Sequence, residues 1–237
     1  MDAKQVIPGL RQVSLGFVNV FLIDTSDGLA LIDTGVAGSA PKILNAVRAL
    51  GKQPSDVRLI LVTHCHTDHA GSLAELKRLT GAPAAMHPID AAMTREGKGL
   101  RPLSPAPGFF NAIVSRFMIA GAPSTVEPAE IEQEIHDGET VIGALQAIHV
   151  PGHCEGQLAF LCPEQNALIA ADAAANAFGL ALSPMYEDLN EGRRSLEKLG
   201  SLDFEVACFG HGRAIPKQAS QRFRQKWPAP SPSRKTV

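Results

Sequence analysis

The chain has 237 residues, 45% of them hydrophobic and 19% charged, and its 22 Lys and Arg nearly balance 24 Asp and Glu for a formal net charge of −2. That length supports one sizeable core and the composition is ordinary for a globular enzyme, whereas the missing basic field argues against nucleic acid and anionic membrane surfaces as partners. No stretch approaches the roughly 18 apolar residues of a membrane helix, and the N-terminus lacks a basic segment followed by an apolar core, so a cytoplasmic chain is expected.

In chain order, residues 18–24 and 29–33 are two β-like runs split by Thr25-Ser26-Asp27-Gly28, whose Asp-Gly pair signals a hairpin turn. Asp33-Thr34-Gly35 ends the second run. A helix with apolar positions Ile43, Leu44, Val47 and Leu50 follows and is closed by Gly51. Residues 57–62 read as a buried strand, and Leu73, Leu76 and Leu79 mark a short helix stopped by Gly81. Residues 83–87 resemble another short strand.

The character changes over residues 88–137, where Pro102, Pro105, Pro107 and Pro123 interrupt a segment carrying Phe109, Phe110, Phe117 and Met118. It reads as an irregular insertion with one or two short helices inside a single domain of residues 1–227. Its aromatics either pack it onto the body or line a substrate pocket. Strands are expected at residues 140–150, 157–162, 167–171 and 205–209, with helices near 191–199 and 214–226. The Pro- and Ser-rich tail, 228–237, is expected to be disordered. The four cysteines, Cys65, Cys154, Cys162 and Cys208, have no CxxC spacing and read as free thiols, the first two being minor alternative metal ligands.

The densest chemistry lies in Thr63-His64-Cys65-His66-Thr67-Asp68-His69-Ala70-Gly71, directly after the 57–62 strand. In extended backbone, positions two apart share a face, so His64 and His66 can converge on one ion while Asp68 and His69 turn toward a second. Nitrogen and oxygen donors of this kind suit zinc first, with iron or manganese as alternatives. His153 in Pro151-Gly152-His153, Asp172 after the run 167–171, and His211 between Gly210 and Gly212 each follow a strand in the same way. His87, His136 and His149 show no partner pattern and read as structural.

Taken in order, Leu31-Ile32-Asp33-Thr34-Gly35, the 63–71 segment, Pro151-Gly152-His153, Ala171-Asp172 and Gly210-His211-Gly212 resemble the metallo-β-lactamase superfamily of hydrolases over residues 10–220. The resemblance implies an α/β fold, an αβ/βα four-layer sandwich of two mixed β-sheets between helical layers, with a metal centre at the sheet edge. Carried over by position, His64, His66 and His153 hold one metal; Asp68, His69 and His211 hold a second; Asp172 bridges both. Two ions at such a site trap a bridging hydroxide that attacks an ester, lactone, thioester or amide carbonyl. Asp68 orients the nucleophile and shuttles its proton. Asp33 is expected to support an imidazole or the loop from outside the ligand set. Some lactonases of the superfamily use a tyrosine beside the metals, which makes Tyr186 a loose oxyanion candidate.

Asp172 and the absence of an export signal align the chain with lactonase, glyoxalase II and YflN-like branches rather than with true β-lactamases. A small-molecule substrate is expected. The alternatives are a mononuclear iron persulfide dioxygenase using His64, His153 and Asp172, and a non-catalytic metal-binding module.

Overall fold

A strand buried on both faces reads as a nearly continuous apolar run, and the runs of this chain build the centres of two stacked sheets. The computed structural model describes residues 3–121 and 123–229, with backbone alone at 110 and 117–120. In chain order come β1 (Lys4–Ile7), β2 (Leu10–Ser14), β3 (Asn19–Thr25), β4 (Gly28–Ile32), α1 (Ala40–Ala49), β5 (Val57–Leu61), α2 (Leu73–Thr80), β6 (Ala84–Met86) and α3 (Pro88–Arg95). Next are β7 (Ser104–Pro105), α4 (Phe109–Gly121), β8 (Gln133–Glu134), β9 (Gln146–His149), β10 (Leu158–Cys162) and β11 (Ala167–Ile169). The chain continues through β12 (Ala174–Ala175), β13 (Ala181–Leu182), β14 (Met185–Tyr186), α5 (Leu189–Gly200), β15 (Val206–Cys208) and α6 (Ala219–Lys226).

Seven strands pair in the order β1-β2-β3-β4-β5-β6-β8, and a second sheet of four runs β15-β11-β10-β9. Strand alternation assigns the layers. Phe21, Ile23, Ala30, Ile32, Leu59 and Leu61 meet Ala147, Leu158, Phe160, Cys162, Ile169 and Cys208 of the other sheet in one core cluster. The opposite side chains, Val20, Leu22, Leu29, Leu31, Ile60 and Val62, pack on Ile43, Leu44 and Val47 of α1 and on Leu73 and Leu76 of α2. Beyond the second sheet, Ile148, Ala159, Leu168 and Ala207 pack on Leu196 and Leu199 of α5 and on Ala219 and Phe223 of α6. The result is the expected four-layer αβ/βα sandwich.

Strand direction brings the chemistry to one edge. β4, β5 and β6 are parallel neighbours, so the loops after them, carrying Asp33, residues 63–71 and His87, leave the same side. In the second sheet β11 and β15 are parallel, and β9 shares their direction because each is antiparallel to β10. His153, Asp172 and His211 therefore follow the carboxyl ends of β9, β11 and β15, where open α/β sheets bind ligands. Backbone bonds stitch the two edges together: Leu158 N–H donates to Thr63 C=O at 2.8 Å, and Asn19 N–H donates to Gly210 C=O at 2.8 Å.

Two expectations needed correction. The 140–150 strand shrinks to β9, because Gly143 and Ala144 have φ of +62° and +58° and turn the chain over before it. The 214–226 helix begins only at Ala219, since Ile215 is bridged to Ala207 and Gln218 has a φ of +54°. β1 and β2 were not anticipated from the sequence. Residues 230–237 of the expected tail lie outside the described residues. No described helix is long and apolar enough to cross a membrane.

Phe160 is fully buried between the sheets. Phe160→Ala is expected to cost about 3–5 kcal/mol of stability in urea unfolding, and a loss under about 1 kcal/mol would contradict the two-sheet core.

Candidate metal centre

Two strained residues aim the first ligands. Asp33, immediately after β4, and Ala171, after β11, have φ of +64° and +48°, in the left-handed region that costs a non-glycine residue about 1 kcal/mol or more. The turn at Ala171 sends Asp172 into the space between the sheets' edges, where it is buried. Gly210 is required by close approach rather than by φ. A Cβ there would collide with the Asp172 carboxylate and lie 2.7 Å from His69 Cε1.

The seven ligand residues named from the sequence come together. His64, His66 and His153 present ring nitrogens within 4.8 Å of one another, and so do the donor atoms of Asp68, His69 and His211. His64, His69 and Asp172 form a third such set, which joins the two. Asp172 lies between them: its Oδ2 is 3.0 Å from His211 Nε2 and 3.7 Å from His153 Nε2, and its Oδ1 is 3.6 Å from His69 Nε2. Asp68 Oδ2 stands 3.3 Å from His211 Nε2 and 3.8 Å from His69 Nε2.

Four of the five histidines are anchored by the nitrogen that faces away. His69 Nδ1 donates to Asp33 Oδ2 at 2.8 Å, His153 Nδ1 to Met185 C=O at 2.7 Å, and His211 Nδ1 to Phe17 C=O at 2.8 Å. These acceptors carry no proton, so they fix the tautomer. Thr63 Oγ1 donates to the Asp33 carboxylate at 2.9 Å and is thereby left to accept from His64 Nδ1 at 3.0 Å. In the neutral ring this leaves Nε2 with its lone pair directed inward. His66 differs: its Nδ1 faces His153 Nε2 at 3.0 Å. Among the described residues, His64 Nε2, His66 Nε2, His69 Nε2 and Asp172 Oδ1 are buried without a hydrogen-bond partner. A buried polar atom left unpaired costs about 1–3 kcal/mol, so this donor set fits divalent ions that would satisfy it.

The electrostatics divide the same residues. Burial, reinforced by neighbouring imidazoles, pushes His64 well below its ordinary value and His66 down to about 3. Burial also lowers His153. All three rings are therefore neutral and ready to ligate. Burial opposes protonation at His69 too, but Asp68, Asp172 and Asp33 outweigh it and raise that ring to about 9. Asp172 and Asp68 likewise carry His211 well above its ordinary value against burial. Against their own desolvation, Asp68 is held below the usual carboxylate range chiefly by His69, and Asp172 chiefly by His211.

Asp33 behaves as the sequence suggested, with its Oδ1 also accepting the Thr63 N–H at 2.8 Å. Tyr186 is corrected. It is buried, and its hydroxyl donates to Ala173 C=O at 2.8 Å and accepts from Ser183 N–H at 2.9 Å, so no proton remains for an oxyanion. Phe109 is also corrected: at the start of α4 it is 84% exposed and does not line the cavity. The side chains of Phe110, Phe117 and Met118 lie outside the described residues. His87 stacks on His149 with ring centres 4.2 Å apart, away from the ligands.

One group escaped the sequence altogether. Behind the ligands, Cys154 Sγ donates to Asp90 Oδ2 at 3.0 Å, and Arg101 from the insertion pairs with Asp90 and reaches Glu187 at 3.5 Å. The Cys65 and Cys154 sulfurs face each other at 3.9 Å within it. All four cysteines are free thiols.

His66, Asp68, His153, Asp172 and His211 form the floor of a cavity of about 1090 Å³ walled by the 14–19 loop, the insertion and residues 175–185. Three outcomes are expected. Asp33→Ala, which unties both His69 and Thr63, should weaken zinc binding about 10–100-fold in a competition with a chromophoric chelator, and unchanged affinity would contradict its role. Gly210→Ala should lose zinc binding while staying folded by circular dichroism. Zinc titration at neutral pH should release protons from His69 and His211, read by calorimetry in buffers of different ionisation enthalpy; the absence of release would contradict the raised values.

The family model for the metallo-β-lactamase superfamily matches residues 13–211. The uncharacterized protein YobT of Bacillus subtilis is 31% identical over 223 residues, 88% of each chain. The thioesterase pkgB of Emericella nidulans is 29% identical over 211 residues; that match covers 88% of this chain but only 49% of the fungal protein. Among solved structures, a HARLDQ-motif metallo-β-lactamase of Cronobacter sakazakii superposes with a TM-score of 0.69 at 26% identity, covering 89% of this chain and 81% of that one. The chain belongs to the metallo-β-lactamase superfamily, whose members are metal-dependent hydrolases.

Proposed function

We propose that the protein is a dinuclear zinc hydrolase acting on the carbonyl of thioesters, lactones and other esters, with thioesters foremost. The observation that carries this reading is the set of seven converging donor residues, five of which line the floor of a largely apolar cavity. His64, His66 and His153 would hold one ion; Asp68, His69 and His211 the other; Asp172, within reach of both groups, would bridge them. Histidine and carboxylate donors without thiolate suit zinc. The likeness to a thioesterase supports the acyl class.

When bound, the ions supply Lewis acidity toward the acyl carbonyl and a water acidic enough to serve as nucleophile near neutral pH. The chain's own residues do the rest. Asp33 and the carbonyls of Met185 and Phe17 hold the rings in place, so little reorganisation is needed as charge develops. Asp68 is the more exposed of the two carboxylates that line the cavity. It would orient the attacking water and accept its proton. The apolar walls limit competing water around the carbonyl.

The test is hydrolysis by the zinc-loaded protein of a panel of thioesters, lactones, esters and amides. Thioester cleavage should vanish on chelation and return with zinc, and Asp68→Asn should lower kcat about 100-fold or more. Zinc-loaded protein that cleaves none of the four classes would sink the proposal.

A further inference from the structure

We infer that the substrate of this acyl-hydrolase site is amphiphilic, with an apolar acyl body seated in the cavity and an anionic group held by Arg213. The inference rests on the proposed function and specifies what that site accepts.

The first observation concerns the walls. Leu103 and Val114 of the insertion line the space together with Leu182, Met185, Phe17 and Phe178. Phe17 is 59% and Phe178 is 91% exposed, so two large aromatic side chains border the cavity while still in contact with solvent. Large apolar groups exposed around a concavity mark a place where apolar ligand surface is buried. The amides in the wall offer a ligand little. Gln12 Nε2 donates to Asn19 Oδ1 at 2.7 Å, Asn19 Nδ2 donates to the carbonyls of Phe209 and Gly212, and Asn111 Nδ2 donates to Pro107 C=O at 2.9 Å. A highly polar acyl group would lose hydration here for few replacement partners.

Arg213 is the second observation. It is the one Lys or Arg among the described lining residues, and it stands two positions beyond His211. Its backbone is fixed by Asn176, which accepts the Arg213 N–H at 3.0 Å and donates from Nδ2 to Arg213 C=O at 2.6 Å. The guanidinium itself enters no hydrogen bond or ion pair among the described residues, in contrast to Arg11, Arg78, Arg95 and Arg101, each paired with a carboxylate. A guanidinium so placed suits a carboxylate or phosphate by a forked pair of hydrogen bonds. A carboxylate at the far end of the acyl chain and a phosphate on the leaving thiol present the same oxyanion chemistry.

The experiment uses the zinc-loaded full chain and three thioester series of two to twelve carbons: neutral N-acetylcysteamine thioesters, the same with a terminal carboxylate on the acyl chain, and coenzyme A thioesters. In the neutral series kcat/KM should rise about twofold or more per added methylene, carried mainly by KM. Val114→Asp should flatten that rise. Arg213→Ala should cost about tenfold more kcat/KM on one charged series than on the neutral one, and the series affected tells carboxylate from phosphate. Hydrolysis with no dependence on chain length, or an Arg213→Ala loss equal across all three series, overturns the inference and leaves the hydrolase reading standing. No hydrolysis in any series defeats both.

Discussion

Everything at the site depends on one buried carboxylate, Asp33. It sits where β4 ends in a left-handed turn, and its two oxygens take the Thr63 N–H, the Thr63 hydroxyl and the His69 Nδ1–H. A buried charge with no partners would cost several kcal/mol, so its three donors are as necessary to it as it is to them. Through Thr63 the same carboxylate reaches His64, which means that two of the five ligand histidines are oriented by a residue that would not itself touch an ion. The strain at Asp33 is the local cost of that arrangement, and the parallel pairing of β4 with β5 keeps the geometry from relaxing.

Charge and burial then sort the ligands into two groups. Around His64, His66 and His153, desolvation and mutual repulsion keep the rings neutral. Around His69 and His211, the carboxylates of Asp68 and Asp172 favour the protonated ring. Those carboxylates thus favour positive charge in that half of the site, as a proton or as an ion. The same carboxylates that retain those protons attract the ion that displaces them, so ion binding and proton release are a single equilibrium.

The fold was legible wherever a strand is buried on both faces. Residues 18–24, 29–33 and 57–62 read correctly because their apolar runs are continuous, and α1, α2 and α5 because their apolar positions recur at helical spacing. β1 and β2 escaped notice because Lys4, Gln5, Arg11 and Gln12 dilute the apolar pattern. The overlong strand at 140–150 failed on a turn at Gly143 that periodicity does not register. The cluster of candidate ligands was legible because each lies just past a strand, at a density no ordinary loop shows. Their supports were less so. The carbonyls of Met185 and Phe17 have no side-chain signature, and the Asp90–Arg101–Cys154 group unites residues from distant segments without any motif. Tyr186 was misjudged for a similar reason: nothing in its neighbours indicates that its hydroxyl is spent on two backbone groups.

The cavity, in contrast to its floor, belongs to segments the ligand motif does not mention: the loop before β3, the insertion and the stretch between Asp172 and α5. On the proposed reading, metal chemistry rests on the strand ends and substrate choice on the connections around them, which also supply the Phe17 and Met185 carbonyls that hold His211 and His153. The account stands or falls on the converging donors holding two ions. Metal content by inductively coupled plasma mass spectrometry, after equilibrium dialysis against zinc, tests this most directly. About two tightly held zinc ions per chain are expected from seven such donors, and a folded protein that retains none would contradict the account.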